Sequence, residues 1–223
     1  MISAKYPRTS HFYSSPNSRD PDHRLNKTIE DLGNFIGQEI VFTEKCDGGN
    51  CCLTNMSVFA RTHAMPTFHP QFNWVKAKHA VIKNDIDENV SLFGEMLYAV
   101  HSIRYTHLPD HFMMFAVRDD VTNMWYAWDQ VKQLSERLGL IVVPELFRGT
   151  VSSIDELCEL IKLHAEQPSL YGPEREGVVV RTTCGFKDEE FRTHVTKYVR
   201  ANHVQTDEHW SAKPIERQGL RTC

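Results

Sequence analysis

Apolar and polar positions alternate over residues 38–43 (QEIVFT), with β-branched and aromatic side chains among them, which predicts a strand. After a glycine break at 48–49, NCCLTNMSVFAR predicts two short strands turning around Asn55. Segments 92–100 (LFGEMLYAV) and 112–117 (FMMFAV) are compact apolar runs, predicted as buried strands. Further strands are expected at 141–147 and 177–182. Two segments carry helical spacing. Over 129–138, Val131, Leu134 and Leu138 share a face and Gly139 stops the helix. Over 153–165, Ser153 and Glu156 stand at capping-box spacing, and Ile154, Leu157, Leu160 and Ile161 form an apolar stripe. Residues 66–84 are mixed: Phe72, Val75, Lys76 and His79 are spaced as on a helix, but two prolines stand at the start. Residues 1–28, with Pro7, Pro16 and Pro21 in a Ser/Asn/Asp context, read as loop or extended arm.

Strands with inserted helices, lacking the regular alternation of a doubly wound sheet, predict an α+β fold of antiparallel sheets with peripheral helices. No Pro/Gly/Ser linker divides the middle, so residues 1–223 are expected to form a single domain. No apolar run approaches the ~18–20 residues of a membrane span. The opening MISAKYPRTSHFYSSP lacks the apolar centre of a signal peptide. The six cysteines (46, 51, 52, 158, 184, 223) show no CxxC pair and no regular disulfide spacing, so free thiols in a reducing cytoplasm are expected.

The net charge of −4 argues against a chain-wide nucleic-acid binder, but its distribution narrows that conclusion. Arg61–Asn84 holds four Lys/Arg and no Asp or Glu, and Lys5–Lys27 holds five positive against two negative residues. Residues 150–176 concentrate the acid, six Asp/Glu against Lys162 and Arg175. A local basic face is enough to grip nucleic acid in a salt-dependent way.

The sharpest local feature is Glu44-Lys45-Cys46-Asp47-Gly48-Gly49-Asn50, a lysine directly after a predicted strand and next to a backbone able to turn tightly. A lysine amine attacks only when neutral, and at a pKa of ~10.4 about one in a few thousand is neutral at pH 7. A nucleophilic role therefore calls for nearby cations or a metal; a solvated surface lysine in a turn is the plainer alternative. Phe93-Gly94-Glu95 and Glu176-Gly177-Val178-Val179-Val180-Arg181 each set a glutamate beside a glycine and an apolar strand. Such a carboxylate either caps a turn or holds a metal. Thr196-Lys197-Tyr198-Val199-Arg200 is a cationic strand, for which an edge position with charged gatekeepers is the alternative.

Taken in order, KxDG, Arg61, FGE, Phe115 in an aromatic strand, EGVVV and the Lys197 strand resemble the covalent nucleotidyltransferase superfamily of polynucleotide ligases and mRNA capping enzymes. The resemblance is strongest to ATP-dependent RNA ligases of the RNA ligase 2 and Deinococcus types, and it runs from KYPRTSHF to VTKYVRANHVQTDEHW. It implies an ATP-grasp-like ligase core. It also implies ATP as substrate and RNA with 3′-OH and 5′-phosphate ends as partner, joined through a lysyl-AMP enzyme and an adenylylated RNA end. On that pattern Lys45 is the nucleophile, with Asp47 and Asn50 in the catalytic steps. Glu44 lies against the adenine edge, Arg61 over the ribose and the nucleic-acid end, and Glu95 by the ribose. Phe115 stacks on the adenine, Glu176 holds the metal shell with Glu95, and Lys197 contacts phosphate. Mg²⁺ or Mn²⁺ follows from the triphosphate chemistry, and a hydrated Mg²⁺ near Lys45 is the cation that depresses its pKa. A zinc site is not expected, since Cys51 and Cys52 are adjacent and His101, His107 and His111 lack ligand-pair spacing.

Some positions depart from the pattern. The last motif usually carries two lysines separated by one residue; here Lys197 stands without its pair, and Arg200 covers the charge from one residue out of phase. The residues after Arg200 are too few for an OB fold, so either this is a minimal core or a protein partner supplies RNA affinity. Arg8 is a candidate phosphate contact, and the tail with His203, His209 and Trp210 resembles the Deinococcus-type branch. A DNA ligase or a capping guanylyltransferase also fits KxDG, and a non-catalytic nucleotide or RNA-end binding module is the alternative from another class.

Overall fold

The computed structural model describes residues 5–12, 15–16, 30–61, 65–201 and 215–221. Its strands are β1 (Ser10–His11), β2 (Glu39–Lys45), β3 (Gly49–Leu53), β4 (Val58–Ala60), β5 (Val90–Met96), β6 (Phe112–Asp119), β7 (Met124–Trp125), β8 (Ile141–Val142), β9 (Glu145–Thr150), β10 (Gly177–Thr182), β11 (Phe186–Lys187) and β12 (Val195–Val199). The α-helices are α1 (Asn73–Ile82), α2 (Trp128–Arg137), α3 (Ile154–Glu166) and α4 (Phe191–His194). One sheet runs β1-β12-β10-β2-β9; the other runs β11-β7-β6-β5-β3-β4, with β8 beside β6. The β1–β12 and β6–β8 pairings are parallel, while long neighbours such as β2–β10 and β5–β6 are antiparallel. This is the α+β architecture that the apolar pattern predicts.

Strand alternation divides each side chain between two cores. In β2, Ile40 and Phe42 pack with Val178 and Val180 of β10 under Leu157 and Ile161 of α3. On the second sheet, Leu53, Leu92, Met96 and Phe112 pack with Val75 and Ile82 of α1 and with Val131 and Leu134 of α2. A third cluster joins Cys52, Phe93, Ala116 and Trp125 to Phe186, Phe191 and Val195, tying the two sheets together at one end. Each fully buried large apolar side chain contributes ~1.5–3 kcal/mol, so this cluster fixes the sheets as a pair and leaves a cleft between them.

Four local outcomes differ from the expectation. The strand expected at 141–147 is two strands in different sheets, because Pro144 has no N–H to continue a ladder. Its carbonyl instead accepts from Glu44 N at 2.9 Å, so the chain changes sheets there. The strand expected over 92–100 starts earlier and ends at Met96. In 66–84 the prolines precede the helix rather than oppose it. Pro70 opens a 3-10 turn, Pro70–Phe72, and α1 starts at Asn73. At α3, Ser153 Oγ accepts from Glu156 N at 3.1 Å, while the Glu156 carboxylate turns to Ser152 rather than closing a reciprocal box. Gly139 ends α2 with φ of +62°, as expected of a helix C-terminus.

Candidate active site

The cleft is built by strand register. β10 runs antiparallel to β2 with Gly177 opposite Lys45, which brings Glu176 beside the lysine. Lys45 Nζ donates to Glu176 Oε1 at 2.6 Å; Lys45 keeps 24% of its side chain open, and Glu176 keeps 9%. Thr43, Val179, Arg181 and Lys197 line the same cleft from the first sheet. From the second sheet come Asn50 and Glu95, which face each other across β3 and β5, and Phe115 of β6. Arg61, just past β4, reaches the same cleft. Seven of the expected side chains therefore meet in one place: Lys45, Asn50, Arg61, Glu95, Phe115, Glu176 and Lys197.

The electrostatics of the lysine run against its reactivity. Burial alone lowers the Lys45 amine, but the carboxylates of Glu176, Glu95 and Asp47 outweigh it and hold its pKa above the ordinary lysine value. Glu95 is pushed up to about 8, chiefly by burial; Glu176 and Asp47 add to the rise while Lys45 and Arg61 pull it back. The rise at Glu95 reflects a buried acid crowded by Glu176 and Asp47, and a cation bound beside it would relieve that crowding. Such crowding is the condition under which a cation or a cation-bound phosphate binds.

The donor set agrees. Glu95 and Glu176 are hard oxygen donors at the cleft, and the Asn50 Oδ1 beside them is buried without a hydrogen-bond partner. Among the described residues, no three His, Cys, Asp or Glu side chains form a metal cage by themselves. Two carboxylates and a neighbouring amide oxygen are a donor set that fits a hydrated divalent ion whose shell is completed by substrate phosphates and water.

Three expected residues are placed differently. Glu44 follows the alternation of β2, so its carboxylate faces away from Lys45. There it accepts from Ser169 Oγ and, at 3.2 Å, from Leu170 N, and it pairs with Arg175 at 3.5 Å. With its side chain fully buried, no carboxylate oxygen is offered to an adenine edge. Arg200 lies beyond β12 and pairs with Glu174 at 2.6 Å, outside the cleft lining, so it does not restore the missing cation. Asp47 is used for anchoring. Its Oδ2 accepts from Ser102 N and Ile103 N, both at 2.6 Å, and its own N–H donates to the Tyr105 hydroxyl at 2.8 Å. The cationic strand β12 is central, between β1 and β10, and not an edge.

Sequence reasoning passed over several lining residues. Tyr6 packs its ring against Phe93, Phe115, Trp125 and Phe191 with centroids 5.1–5.4 Å away. Arg181 donates to the Tyr126 carbonyl at 2.8 Å and stacks over Trp128 and Phe186, and burial lowers its guanidinium to about 10. Period-two reading of EGVVVR could have found it, since Val179 and Arg181 share a face. Lys5 and Arg8 join Arg61 and Lys197 around a second, cationic recess at the mouth of the cleft. The candidate tail residues His203, His209 and Trp210 lie outside the described residues.

The fold has solved counterparts. A Naegleria gruberi RNA ligase with PPi aligns with a TM-score of 0.61 at 18% identity, over 90% of this chain and 58% of that one. A mutant of the same ligase with ATP and Mn aligns at 0.63 and 17% identity, over 89% and 60%. An archaeal ATP-dependent RNA ligase aligns at 0.56 and 14%, over 88% and 48%. At these identities the likeness is one of fold, and this chain spans 48–60% of the length of those three. No curated protein matches. No helix among the described residues is long and apolar enough to cross a membrane. The RNA ligase family profile matches residues 38–199, most of the chain and the whole span from β2 to β12, and the chain belongs to the RNA ligase family.

Proposed function

We propose that the protein is an ATP-dependent RNA ligase that seals 3′-OH to 5′-phosphate RNA ends through a lysyl-AMP intermediate on Lys45. The observation that carries this reading is the meeting of Lys45, Glu176, Glu95, Phe115, Arg61 and Lys197 in one cleft between the sheets. Lys45 Nζ attacks the α-phosphorus of ATP, an N–P bond forms, and the bond to the departing pyrophosphate breaks. The proton lost from Nζ has an acceptor in Glu176 Oε1, already hydrogen-bonded at 2.6 Å. An oxygen of the RNA 5′-phosphate then attacks the same phosphorus, and the N–P bond breaks as lysine regains a proton. Finally the 3′-hydroxyl attacks the activated 5′-phosphate; the phosphodiester forms and AMP leaves.

Each cleft residue has a task in this sequence. Phe115 offers a ring face to the base, a contact that tolerates any purine. Lys197 and Arg61 bring fixed positive charge to the phosphates, where preorganised charge lowers the barrier most. Glu95 and Glu176 would hold a divalent cation, Mg²⁺ or Mn²⁺. When bound, that ion supplies neutralisation of phosphate charge as a Lewis acid. The recess of Lys5, Arg8, Arg61 and Lys197 is suited to the RNA phosphate that follows ATP into the site.

The test is a covalent one. The protein is incubated with α-labelled ATP or GTP and a divalent cation, and acid-stable adducts are resolved. An adduct with ATP, absent in Lys45→Ala, is expected. Labelling by GTP alone would replace this reading with capping, and no label from either would leave a binding module. Nicked RNA against nicked DNA, each with a 5′-phosphate, reads the strand preference.

A further inference from the structure

The nucleophile turn is held from a part of the chain that the family profile does not cover. Lys45 is followed by Asp47, and Asp47 is fastened on both sides to the loop 102–105. Its carboxylate takes the N–H groups of Ser102 and Ile103, and its N–H meets the hydroxyl of fully buried Tyr105. That loop is in turn fastened to the segment 215–221. The Gln218 side chain, 2% exposed, donates through Nε2 to the Ile103 carbonyl and accepts through Oε1 from Tyr105 N, each at 2.7 Å. The backbone adds more: Gln218 N donates to Tyr98 O at 2.9 Å, Val100 N to Glu216 O at 2.8 Å, Gly219 N to Tyr105 O at 3.0 Å and Leu108 N to Gly219 O at 2.9 Å. The fit at residue 219 depends on glycine, since a Cβ there would stand 2.6 Å from the Thr106 carbonyl oxygen.

We propose that Gln218 is a positioning residue for the lysine nucleophile, acting through the Ile103–Tyr105 backbone and Asp47. The physical reason is the length of the loop. Strand pairing of β5 ends at Met96 and of β6 begins at Phe112, so the residues between them have no ladder to fix them. An amide side chain that satisfies the Ile103 carbonyl and the Tyr105 N–H fixes the loop backbone directly after the Ser102 and Ile103 N–H groups that hold Asp47. Losing it leaves two backbone groups buried and unpaired, and the loop can relieve that only by moving. Movement there is passed to the turn that begins at Lys45. An attack geometry misplaced by ~1 Å costs about 100-fold in rate. The inference rests on the proposed lysyl-AMP chemistry for its kinetic readout, but not for its structural one.

The test uses Gln218→Met, which keeps the side-chain volume and removes both hydrogen bonds, with Gln218→Glu, which keeps the acceptor and loses the donor. Adenylylation of Lys45 by labelled ATP is followed in time. At saturating ATP the rate constant is expected to fall ~10–100-fold in Gln218→Met, with KM for ATP within ~3-fold and the final labelled fraction unchanged. Gln218→Glu is expected to fall between this and the wild type. Amide hydrogen exchange of the 45–49 peptide is measured on the same proteins, and faster exchange at Asp47 is expected in Gln218→Met. A purely structural role would instead lower the labelled fraction and the melting temperature while leaving the rate per active molecule and the Asp47 exchange unchanged, and that result would overturn the proposal. If the wild type itself takes no label, the lysyl-AMP reading fails, and the exchange of Asp47 still decides whether Gln218 holds the turn. Unaltered exchange rejects the role.

Discussion

In the proposed reaction, Glu176 is the residue on which the chemistry of Lys45 turns. It is the hydrogen-bond partner of the amine, it raises the lysine pKa, and it is one of the two carboxylates suited to a divalent ion. These tasks pull in opposite directions. Removing the carboxylate frees the amine of an attraction that keeps it protonated, which by itself would favour attack. It also removes the proton acceptor and a metal donor, and both losses slow the step. The second pair of effects is larger, because electrostatic stabilisation of the transferring phosphoryl group is commonly the dominant catalytic contribution. Glu176→Ala is therefore expected to lower adduct formation by two orders of magnitude or so, measured with α-labelled ATP; near-normal labelling would remove Glu176 from the reaction. The residues in KxDG, FGE and EGVVV were legible because each motif spans few positions and each sits at a strand end. Glu44 borders the cleft as a residue, but adjacent strand residues face opposite sides, so its carboxylate turns to Ser169 and Arg175 while Lys45 faces the cleft. Tyr105 and Gln218 had no signal, because a tyrosine in a loop and a glutamine 113 residues later show no pattern until the backbone brings them together.

Periodicity located α2 and α3 and the long strands, since each buries one face against a single neighbour and keeps a regular repeat. It failed where partners change within a few residues, as at Val143–Pro144, where the chain leaves β6 for β2. It also carried no information on segment 215–221, which pairs by isolated bridges at Arg217 with Ala99 and Leu220 with Leu108. The docking of that segment is pH-sensitive. Arg217 Nε donates to His111 Nε2 at 3.2 Å, which needs the lone pair of a neutral imidazole. Burial and then the Arg217 charge lower the His111 pKa below 6.5, against smaller opposing pulls from the Leu97 backbone and then from Asp110, itself paired with Lys78. Trp74 and Tyr98 complete the surroundings edge-on. A folded-state pKa below the unfolded one means that the unfolded chain takes up the proton first as pH falls. The stability is thus complete above about pH 6.5 and is lost as pH drops through that value toward the folded pKa. The melting temperature is expected to fall between pH 7 and 5 by more in the wild type than in His111→Gln, with ~2–4 °C for each kcal/mol involved. Parallel curves for the two proteins would assign the loss to other groups.

At the scale of the whole molecule the net charge of −4 misleads, because the acid and the base occupy different places. The acid of 150–176 is largely on and after α3, which covers the face of the first sheet turned away from the cleft. The cations gather at the cleft mouth, where Lys5, Arg8, Arg61 and Lys197 share one recess. In the acid-free stretch that begins at Arg61, Pro66 and Thr67 lie beside β4 and lead to α1. There Phe68 and Met56 are each 78% exposed, and Lys76 stands 5.7 Å from the Phe68 ring centroid. Lys78 is committed to Asp110, so Lys76 is the better candidate for RNA phosphate on this face. Cations dispersed along such a path imply binding that is electrostatic and weak, and the two halves of the reaction should separate under salt. In the proposed reaction adenylylation needs only ATP, whereas sealing needs RNA held across the surface. With wild-type protein, raising salt is expected to depress kcat/KM for sealing far more than the rate of adenylylation. In Lys76→Ala the slope of log kcat/KM for RNA against log salt should shrink by ~0.7–0.9, the contribution of a single phosphate contact. Phe68→Ala should raise KM for RNA ~5-fold or more through a lost stacking face, with adenylylation unchanged. Phe68 is largely exposed and Lys76 is only half-buried at the surface, so neither loss is expected to unfold the protein, and unchanged RNA kinetics in both variants would move the RNA path off α1 and back to the cationic recess alone.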